Sequence, residues 1–178
     1  MLLEIILGFI VVLALLILFI TIGNNKFSFA IIRIEEAENN IEVLLHKKYD
    51  LLQRCCPIII KELKVKDFLP DIGEIKLEEI NHFELNDTLK KGYNELFKTI
   101  DNNEKLLKSE SLMAIMDDLE KNEIDLSAAQ KFYNDAVIVF NKLILAFPSN
   151  IIGFFKGYKK KDFYNNEKRE MFQILNDR

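Results

Sequence analysis

The sequence predicts an all-α protein in which an N-terminal transmembrane helix continues into an antiparallel bundle of three or four helices. Two observations lead to this fold class. An uncharged apolar run occupies Ile5–Ile22, ahead of a body rich in charged residues. Within that body apolar residues recur at the helical spacing of three and four, and no segment alternates with period two for long enough to build a sheet.

Composition excludes several classes of protein. The chain has 178 residues, 24 Lys plus Arg, 28 Asp plus Glu and a net charge of -4. A dedicated nucleic-acid binder would normally carry a basic excess, so no nucleic-acid partner is expected. With 49% hydrophobic residues the chain is too apolar to be disordered.

The apolar run has the length of a membrane anchor. Its 18 residues would span roughly 27 Å as a helix, close to the hydrocarbon core of a bilayer. We expect Leu2–Ile22 to contact lipid, within an anchor segment formed by residues 1–25, and Lys26 to lie at the interface. The alternative is a cleaved signal peptide, since Thr21–Gly23 offers a weak cleavage pattern, but no Lys or Arg precedes the run.

Charge bias predicts the orientation of this anchor. Lys26 and Arg33 follow the run closely, so the positive-inside rule places the body in the cytoplasm and the short N-terminus outside the cell membrane. The two cysteines, Cys55 and Cys56, are adjacent and cannot easily pair with each other, which fits a reducing compartment.

The first helix of the body carries an apolar seam, and nothing between Phe27 and Ile34 breaks a helix that continues from the span. Pro57 should kink or end this helix near Cys56, because proline lacks the N–H that the helix needs. The seam comprises Ile34, Ala37, Ile41, Leu44, Lys48, Leu51, Cys55 and Ile58.

A second and longer seam predicts a helix that Pro148 ends, with Ser109 or Ser111 as its cap. Asn122 is the one strongly polar member, and a buried Asn often sets helix register; ligand binding is the alternative. The seam comprises Leu112, Ile115, Leu119, Asn122, Leu126, Ala129, Tyr133, Ala136, Phe140, Leu143 and Phe147.

The remaining segments give weaker signals. Asp87 is a possible cap for a helix that ends at Asn102-Asn103, and Asp67–Glu84 is expected to be a loop with a short helix over Glu74–Phe83. After Pro148, Asn150 is expected to cap a short helix through Phe155. The bundle is assigned to residues 26–164 and a polar tail to residues 165–178.

The region around the second seam resembles the LemA family. Three segments carry the resemblance most specifically: Ala128–Val137 with its Tyr-Asn pair, Phe147–Ile152, and Gly157-Tyr158. Glu123 also fits the family pattern, and Lys48–Leu52 resembles a basic-aromatic segment of its first helix. The resemblance covers Leu112–Phe163 well and Ile34–Leu63 fairly, and it is not traceable through Val65–Leu107.

This resemblance implies an N-terminal membrane helix, a small N-terminus outside and a cytoplasmic helical bundle. It supplies no catalytic mechanism, because the family has no established activity. Two positions depart from the family pattern. Gln53 stands where Pro is common, and Gln130 stands where an Arg is common three residues before Tyr133, so an Arg-based contact there is not expected.

No catalytic, cofactor-binding or metal-binding residues are predicted. His46 and His82 lack a His partner at metal-ligand spacing, and the carboxylates of Glu35, Glu38 and Glu42 lack an accompanying E-x-x-H motif. The chain is therefore expected not to be an enzyme and to need no cofactor.

A candidate docking surface is the strongest functional signal. We expect the Tyr133 hydroxyl to bond locally and Asn134 to bond at a helix face, with docking as the alternative. A basic-aromatic cluster extends from Phe154 to Tyr164. Its aromatic side chains are expected to form a lid on the bundle, with partner docking or lipid contact as alternatives. If successive helices alternate in direction, the long helix leads away from the membrane and Phe147 lies tens of ångströms from the bilayer. An extra helix within Asp67–Glu84 would reverse that direction. The candidate residues are Tyr133, Asn134, Phe154, Phe155, Tyr158, Lys159, Lys160 and Lys161.

Three functional hypotheses follow. The first is a non-enzymatic, membrane-held interaction or scaffold module that binds an unknown protein partner or self-associates through its seams. The second is a ligand-sensing or signalling bundle coupled to the transmembrane helix, which requires a pocket and an unbroken helix across Gly23–Lys26. The third is a hydrolase with an unrecognised site, which requires clustered buried carboxylates.

Overall fold

The computed structural model describes residues 1–164, and all regular secondary structure in that range is helical, as predicted. The predicted polar tail, residues 165–178, lies outside the described residues. The helices are α1 (Leu2–Leu63), α2 (Pro70–Gly73), α3 (His82–Asp101), α4 (Glu104–Leu107), α5 (Glu110–Leu145) and α6 (Ser149–Lys156).

The chain divides into two compact units. Unit 1 contains Met1–Glu36 and the chain from Phe132 onward, and unit 2 contains Ala37–Lys131. Both α1 and α5 contribute residues to each unit. The predicted boundary between residues 25 and 26 falls inside α1, which is unbroken there.

In unit 1, α1 and α5 run antiparallel. The rings of Phe27 and Phe140 meet edge to face at 5.9 Å, and the Arg33 guanidinium lies 5.2 Å from the ring centroid of Phe132. Moving forward along α1 therefore means moving backward along α5. Ala30, Ile34, Tyr133, Ala136 and Val137 are also buried.

In unit 2, α3 runs antiparallel to α5. Gln130 Nε2 donates to Asn86 Oδ1 at 2.8 Å, and one turn or two further along α3 Tyr93 lies beside Lys48, which pairs with Glu123 of α5. Gln130 is the position at which the resemblance led us to expect no Arg-based contact. Here its amide joins the two helices instead.

The first seam is buried in part, and α1 continues beyond the predicted break. Leu44 and Ile58 are only half-buried, whereas their neighbours Leu45 and Ile59 are fully buried. The expectation that α1 ends near Cys56 is wrong, because the helix runs through Pro57 to Leu63. Pro57 is exposed, so the carbonyl that loses its intrahelical partner can bond water.

The second seam is buried over most of its length. Nine of its eleven members are buried, and Leu143 is half-buried. Phe147 is 79% exposed, because α5 ends at Leu145, two residues before it. The predicted end of the helix ahead of Pro148 is confirmed.

In the middle segment the predicted end at Asn102-Asn103 is confirmed, because α3 ends at Asp101 with Asn102 as its C-cap. The predicted cap and the predicted short helix are wrong. The cap of α3 is Asn81, whose side-chain oxygen accepts from the N–H groups of Phe83 and Glu84 at 3.0 and 2.9 Å. Asp87 therefore lies inside the helix. No helix covers Glu74–Phe83 as a whole; the short helix of this segment is α2, which begins at a proline suited to a first helical position.

Close packing explains a glycine in the middle of α3. Gly92 is buried, and a Cβ built on it would overlap Ile72 Cδ1 of α2. The propensity lost by placing Gly inside a helix is offset by this close approach.

Gln53 of α1 stands at the position where the resemblance led us to note a departure from Pro. Its Nε2 donates to the Tyr49 hydroxyl at 3.0 Å.

Candidate functional site

The direction and the length of the last helix, α6, are determined by residues at its two ends. The axes of α5 and α6 differ by 96°, and the break between them contains Phe147-Pro148. Gly157 ends α6 with a left-handed φ of 68°, and its N–H donates to Phe154 O at 3.1 Å. Asn150, the predicted cap, lies inside α6 instead, because the helix begins at Ser149.

One face of α6 packs on the base of the apolar run. Ile152 is buried, and a Cβ on Gly23 of α1 would overlap its Cδ1 atom. A Cβ on Gly153 would lie 3.2 Å from Phe27 Cζ. Because both contact points lack a side chain, the two helices approach closely within unit 1.

This placement corresponds to the alternative left open by the argument from alternating helix directions, in which the segment Asp67–Glu84 reverses the direction of the chain. The argument assumed that the second helix of the body descends and the next one rises. The chain instead crosses back through residues 64–81, mostly without helix, so that α3 lies antiparallel to α5 in unit 2. In unit 1, Phe140 of α5 lies against Phe27, and Ile152 of α6 lies against Gly23, the residue that follows the apolar run.

The outer face of α6 is aromatic and exposed. Phe154 and Phe155 are each 82% exposed, and their rings touch only edge to face at 5.8 Å. Phe147 is exposed to a similar degree. The expectation that the aromatic residues form a lid therefore fails for Phe154 and Phe155. It holds for Tyr158, whose ring packs 5.1 Å from Phe27 and 5.8 Å from Phe140.

Tyr133 and Asn134 are buried and hold the segment that follows α6. The Tyr133 hydroxyl donates to the carbonyl oxygen of Asp162 at 3.1 Å, and the Tyr164 N–H donates to Asn134 Oδ1 at 3.0 Å. Neither side chain presents a surface to a partner in this structure. Both side chains are bonded within the body, but to a segment 29 and 30 residues further along the chain and not locally as expected.

The lysines of the candidate surface occupy two environments. Lys159 and Lys160 are exposed, as is Lys156 at the end of α6. Lys161 is half-buried, and Asn141 bonds its backbone twice: Lys161 N–H donates to Oδ1 at 2.9 Å, and Nδ2 donates to the carbonyl at 3.0 Å. The structure therefore brings Phe154, Phe155, Lys159 and Lys160 together at the surface and keeps Tyr133 and Asn134 apart from it.

An apolar groove separates α6 from the apolar run of α1. Its volume is about 490 Å³, and it is open along one side. Its walls come from the last two turns of the run and from α6, and its polar lining comes from one amide and one ammonium. The lining residues are Leu16, Phe19, Ile20, Asn24, Ile151, Ile152, Phe155 and Lys156.

Unit 2 contains a buried ion pair at the polar position of the first seam. Lys48 Nζ lies 2.6 Å from Glu123 Oε1, with the lysine side chain 1% exposed and the glutamate 30% exposed. The ammonium also lies 5.3 Å from the ring centroid of Tyr93. Burial lowers the pKa of Lys48, and Glu123 offsets that effect only in part.

Asn122 lies next to this pair and joins α5 to α1. Its Nδ2 donates to the carbonyl oxygen of Leu44 at 3.2 Å, and its Oδ1 is buried without a hydrogen-bond partner. A cross-helix bond from one buried amide can favour a single register of the two helices.

The groups searched for in the sequence are placed as follows. Among residues 1–164, no group of three or more His, Cys, Asp or Glu side chains is arranged to hold a metal ion. Cys55 is buried and Cys56 half-buried, both as free thiols. Burial raises the pKa of Cys55 to about 12.

The fold and the site define a class: an all-helical protein whose first helix, α1, is long and apolar enough to cross a membrane. The model of the LemA family matches residues 37–174, more than three quarters of the chain, so this chain belongs to the LemA family. The match includes the segment Val65–Leu107, where the sequence alone showed no traceable resemblance. No curated protein matches the chain.

Some functional positions were not found from the sequence. The contact of Gly23 with Ile152 joins residues far apart in the chain, and only the apolar character of Ile152 was available as a signal. The pairing of Lys48 with Glu123 was not predicted either, although both residues lie in segments that carry the resemblance and Lys48 interrupts an apolar seam.

Proposed function

We propose that this chain is a non-enzymatic, single-pass membrane protein whose helical body serves as a protein-interaction or scaffold module on the cytoplasmic side of the cell membrane. The observation that carries this proposal is the composition of α1. One uninterrupted helix contains an apolar run that is exposed along nearly its whole length and then residues buried against other helices.

The exposed run favours lipid over water. Fifteen of the 18 residues in Ile5–Ile22 are Ile, Leu, Phe or Val. At roughly 0.3–0.6 kcal/mol for each in mid-membrane, their insertion is favourable by about 5–9 kcal/mol. Ile152 packs on Gly23 at the weak cleavage pattern, so cutting there would remove part of a packed contact, which supports a retained anchor.

Orientation is tested by labelling a single introduced thiol. Lys160 is exposed, so K160C should react with a membrane-impermeant maleimide only after the cells are opened. Leu2→Cys, on the other side of the run, should react in intact cells. The unmodified chain is the control, because burial raises the pKa of both native thiols and suppresses their reaction. Labelling of K160C in intact cells would reverse the proposed orientation.

The interaction role must rest on surfaces other than the seams. Most residues of the second seam are buried within this chain, so the seam is not available to a further helix. In-cell cross-linking of the full chain is the direct test, with a variant lacking Met1–Ile22 and a variant carrying F154S and F155S as controls. Tyr158 stays unchanged because its ring is packed.

A recurrent protein partner that is lost without the anchor supports the proposal. Only self-links, or no links, would contradict a partner-binding role. A partner retained by the F154S/F155S variant would show that docking occurs elsewhere on the body.

A second candidate function is signalling through the helix. The specific observation in its favour is that α1 is unbroken across Gly23–Lys26, as a transmitted helix shift requires. Asn25→Pro interrupts the helix without removing the anchor. If cross-linked partners stay the same in this variant, α1 acts as a tether; a changed set of partners favours signalling.

A further inference from the structure

Among residues 1–164, the aromatic face of α6 is left largely exposed. Phe147, Phe154 and Phe155 are each about four-fifths exposed. Isolated exposed apolar residues are ordinary, but here two rings in contact, Phe154 and Phe155, follow an exposed Phe147 within one short segment. Such a concentration of exposed aromatic residues is of the kind that marks a contact with a membrane or another molecule. The buried face of the same helix is already occupied by its contact with Gly23 and Phe27.

The position of the patch along α1 favours a bilayer as its occupant. Gly23 directly follows the 18-residue apolar run, whose helix length of about 27 Å matches a hydrocarbon core. Ile152 rests on Gly23, and Phe155 lines a groove together with Leu16 and Phe19 from the last turns of the run. If the run is in lipid, this face of α6 lies where the hydrocarbon core meets the headgroups.

Charge on the same segment complements an anionic surface. Lys156, Lys159 and Lys160 are exposed, and Lys26 is exposed just beyond the run on α1. Asp162 is the nearest acidic residue along the chain, and it is exposed as well. Aromatic rings beside lysines form the pattern by which amphipathic helices bind anionic lipids.

We propose that α6 is a second membrane contact, an interfacial helix that inserts Phe147, Phe154 and Phe155 into a bilayer of anionic phospholipid. Acyl chains cover the groove between α6 and the anchor, and Lys156, Lys159 and Lys160 bind headgroup phosphates. Unit 1 is thereby held at the membrane surface at two points. This proposal rests on the proposed function, because it requires the apolar run to be in the membrane.

The test uses the absence of Trp from the sequence. Full-length chain carrying Phe155→Trp is reconstituted in vesicles of phosphatidylcholine, with or without phosphatidylglycerol, containing lipids brominated on their acyl chains. Phe9→Trp, in the first half of the run, is the matched reporter for the anchor. We expect bromolipid quenching of both reporters, and stronger quenching of F155W in the anionic vesicles.

The lysines are tested in the same reporter background. Adding K156Q, K159Q and K160Q should remove the difference between anionic and neutral vesicles. For each lysine replaced, the ratio of α6 inserted in the bilayer to α6 detached from it should fall roughly fivefold. These side chains are exposed, so the fold should be unaffected. An equal response to both vesicle types before and after substitution would overturn the electrostatic part of the proposal.

The outcomes separate this proposal from the one on which it rests. Quenching of F9W with F155W unquenched and open to iodide would overturn the interfacial helix and leave the anchor intact. No quenching of F9W would overturn the anchor itself. A third outcome is that F155W is shielded from iodide but not quenched by bromolipid, and becomes accessible to iodide when the protein is diluted in the vesicles. That result would show that a second copy of the chain covers this face, which also overturns the proposal.

Discussion

Replacing Glu123 by Gln should leave the ammonium of Lys48 buried without its counter-charge. The lysine side chain is 1% exposed, whereas the glutamate is 30% exposed. Removing one partner of a fully buried pair typically destabilises a protein by about 3–5 kcal/mol. Because water reaches Glu123 and screens the pair, we expect a smaller loss, about 2–3 kcal/mol, for E123Q.

The same exposure predicts an asymmetry between the two partners. Lys48→Met replaces the buried charge with an apolar chain of similar length, and the remaining Glu123 can be hydrated. K48M should therefore cost less than E123Q, about 1 kcal/mol, and the double variant should be more stable than E123Q alone. Asp118→Asn is the matched control, because its pair with Lys121 is exposed and should contribute less than about 0.5 kcal/mol.

The effect of pH has a definite sign. Burial lowers the pKa of Lys48 in the folded protein from its ordinary 10.5, so between the two values the unfolded chain binds more protons and stability rises with pH. Glu123 raises this pKa, and E123Q therefore lowers it further. The deficit of E123Q should shrink as pH approaches 10, because neutral lysine needs no counter-charge.

The assay is thermal unfolding of the full chain in detergent, followed by circular dichroism. A loss of 2–3 kcal/mol should lower Tm by roughly 5–10 °C in a protein of this size. Equal losses for E123Q and D118N, or a deficit that grows with pH, would refute the view that a desolvated Lys48 charge depends on Glu123.

Three further outcomes are expected. Gly92→Val should lower stability by about 1–3 kcal/mol, because its branched side chain meets Ile72 with more atoms than the Ile72 end methyl can avoid. Gly92→Ala should be nearly neutral, because its gain in helix propensity offsets the overlap of a single Cβ with that methyl; equal melting of both variants would contradict this. Asn141→Leu should speed amide exchange at Lys161 by at least about fivefold, because it removes an acceptor worth about 1–3 kcal/mol, and unchanged exchange would contradict the assigned bond. Cys55, with a pKa of about 12, should resist iodoacetamide at pH 8 until urea is added, as mass spectrometry of the folded and unfolded chain would show.

Several features of the fold could be predicted because they depend on local pattern. The apolar run requires only composition, and both seams require only the helical period. The cap of α3 was misplaced because Asn81 and Asp87 are both acceptable caps by residue type. Which of them caps the helix depends on where α3 begins. That position is set by the connection through residues 64–81, which reverses the chain before α3 starts.

The candidate site was predictable in composition but not in arrangement. Phe155 and Tyr158 look alike in sequence, yet one ring is exposed and the other packs against Phe27. Tyr133 and Asn134 were candidates for docking, but both bind the segment after α6. Which aromatic ring is covered depends on neighbours from another part of the chain.

The sequence by itself determined that this protein is helical, where its apolar run lies and which faces of α1 and α5 are buried. Those properties follow from the apolar content and spacing of neighbouring residues. Only the tertiary structure decided that α6 rests on Gly23, which puts the exposed phenylalanines beside the apolar run. Helical periodicity specifies which face of a helix is apolar, but the direction and partner of that face depend on how many times the chain reverses, and here residues 64–81 reverse it without a long helix.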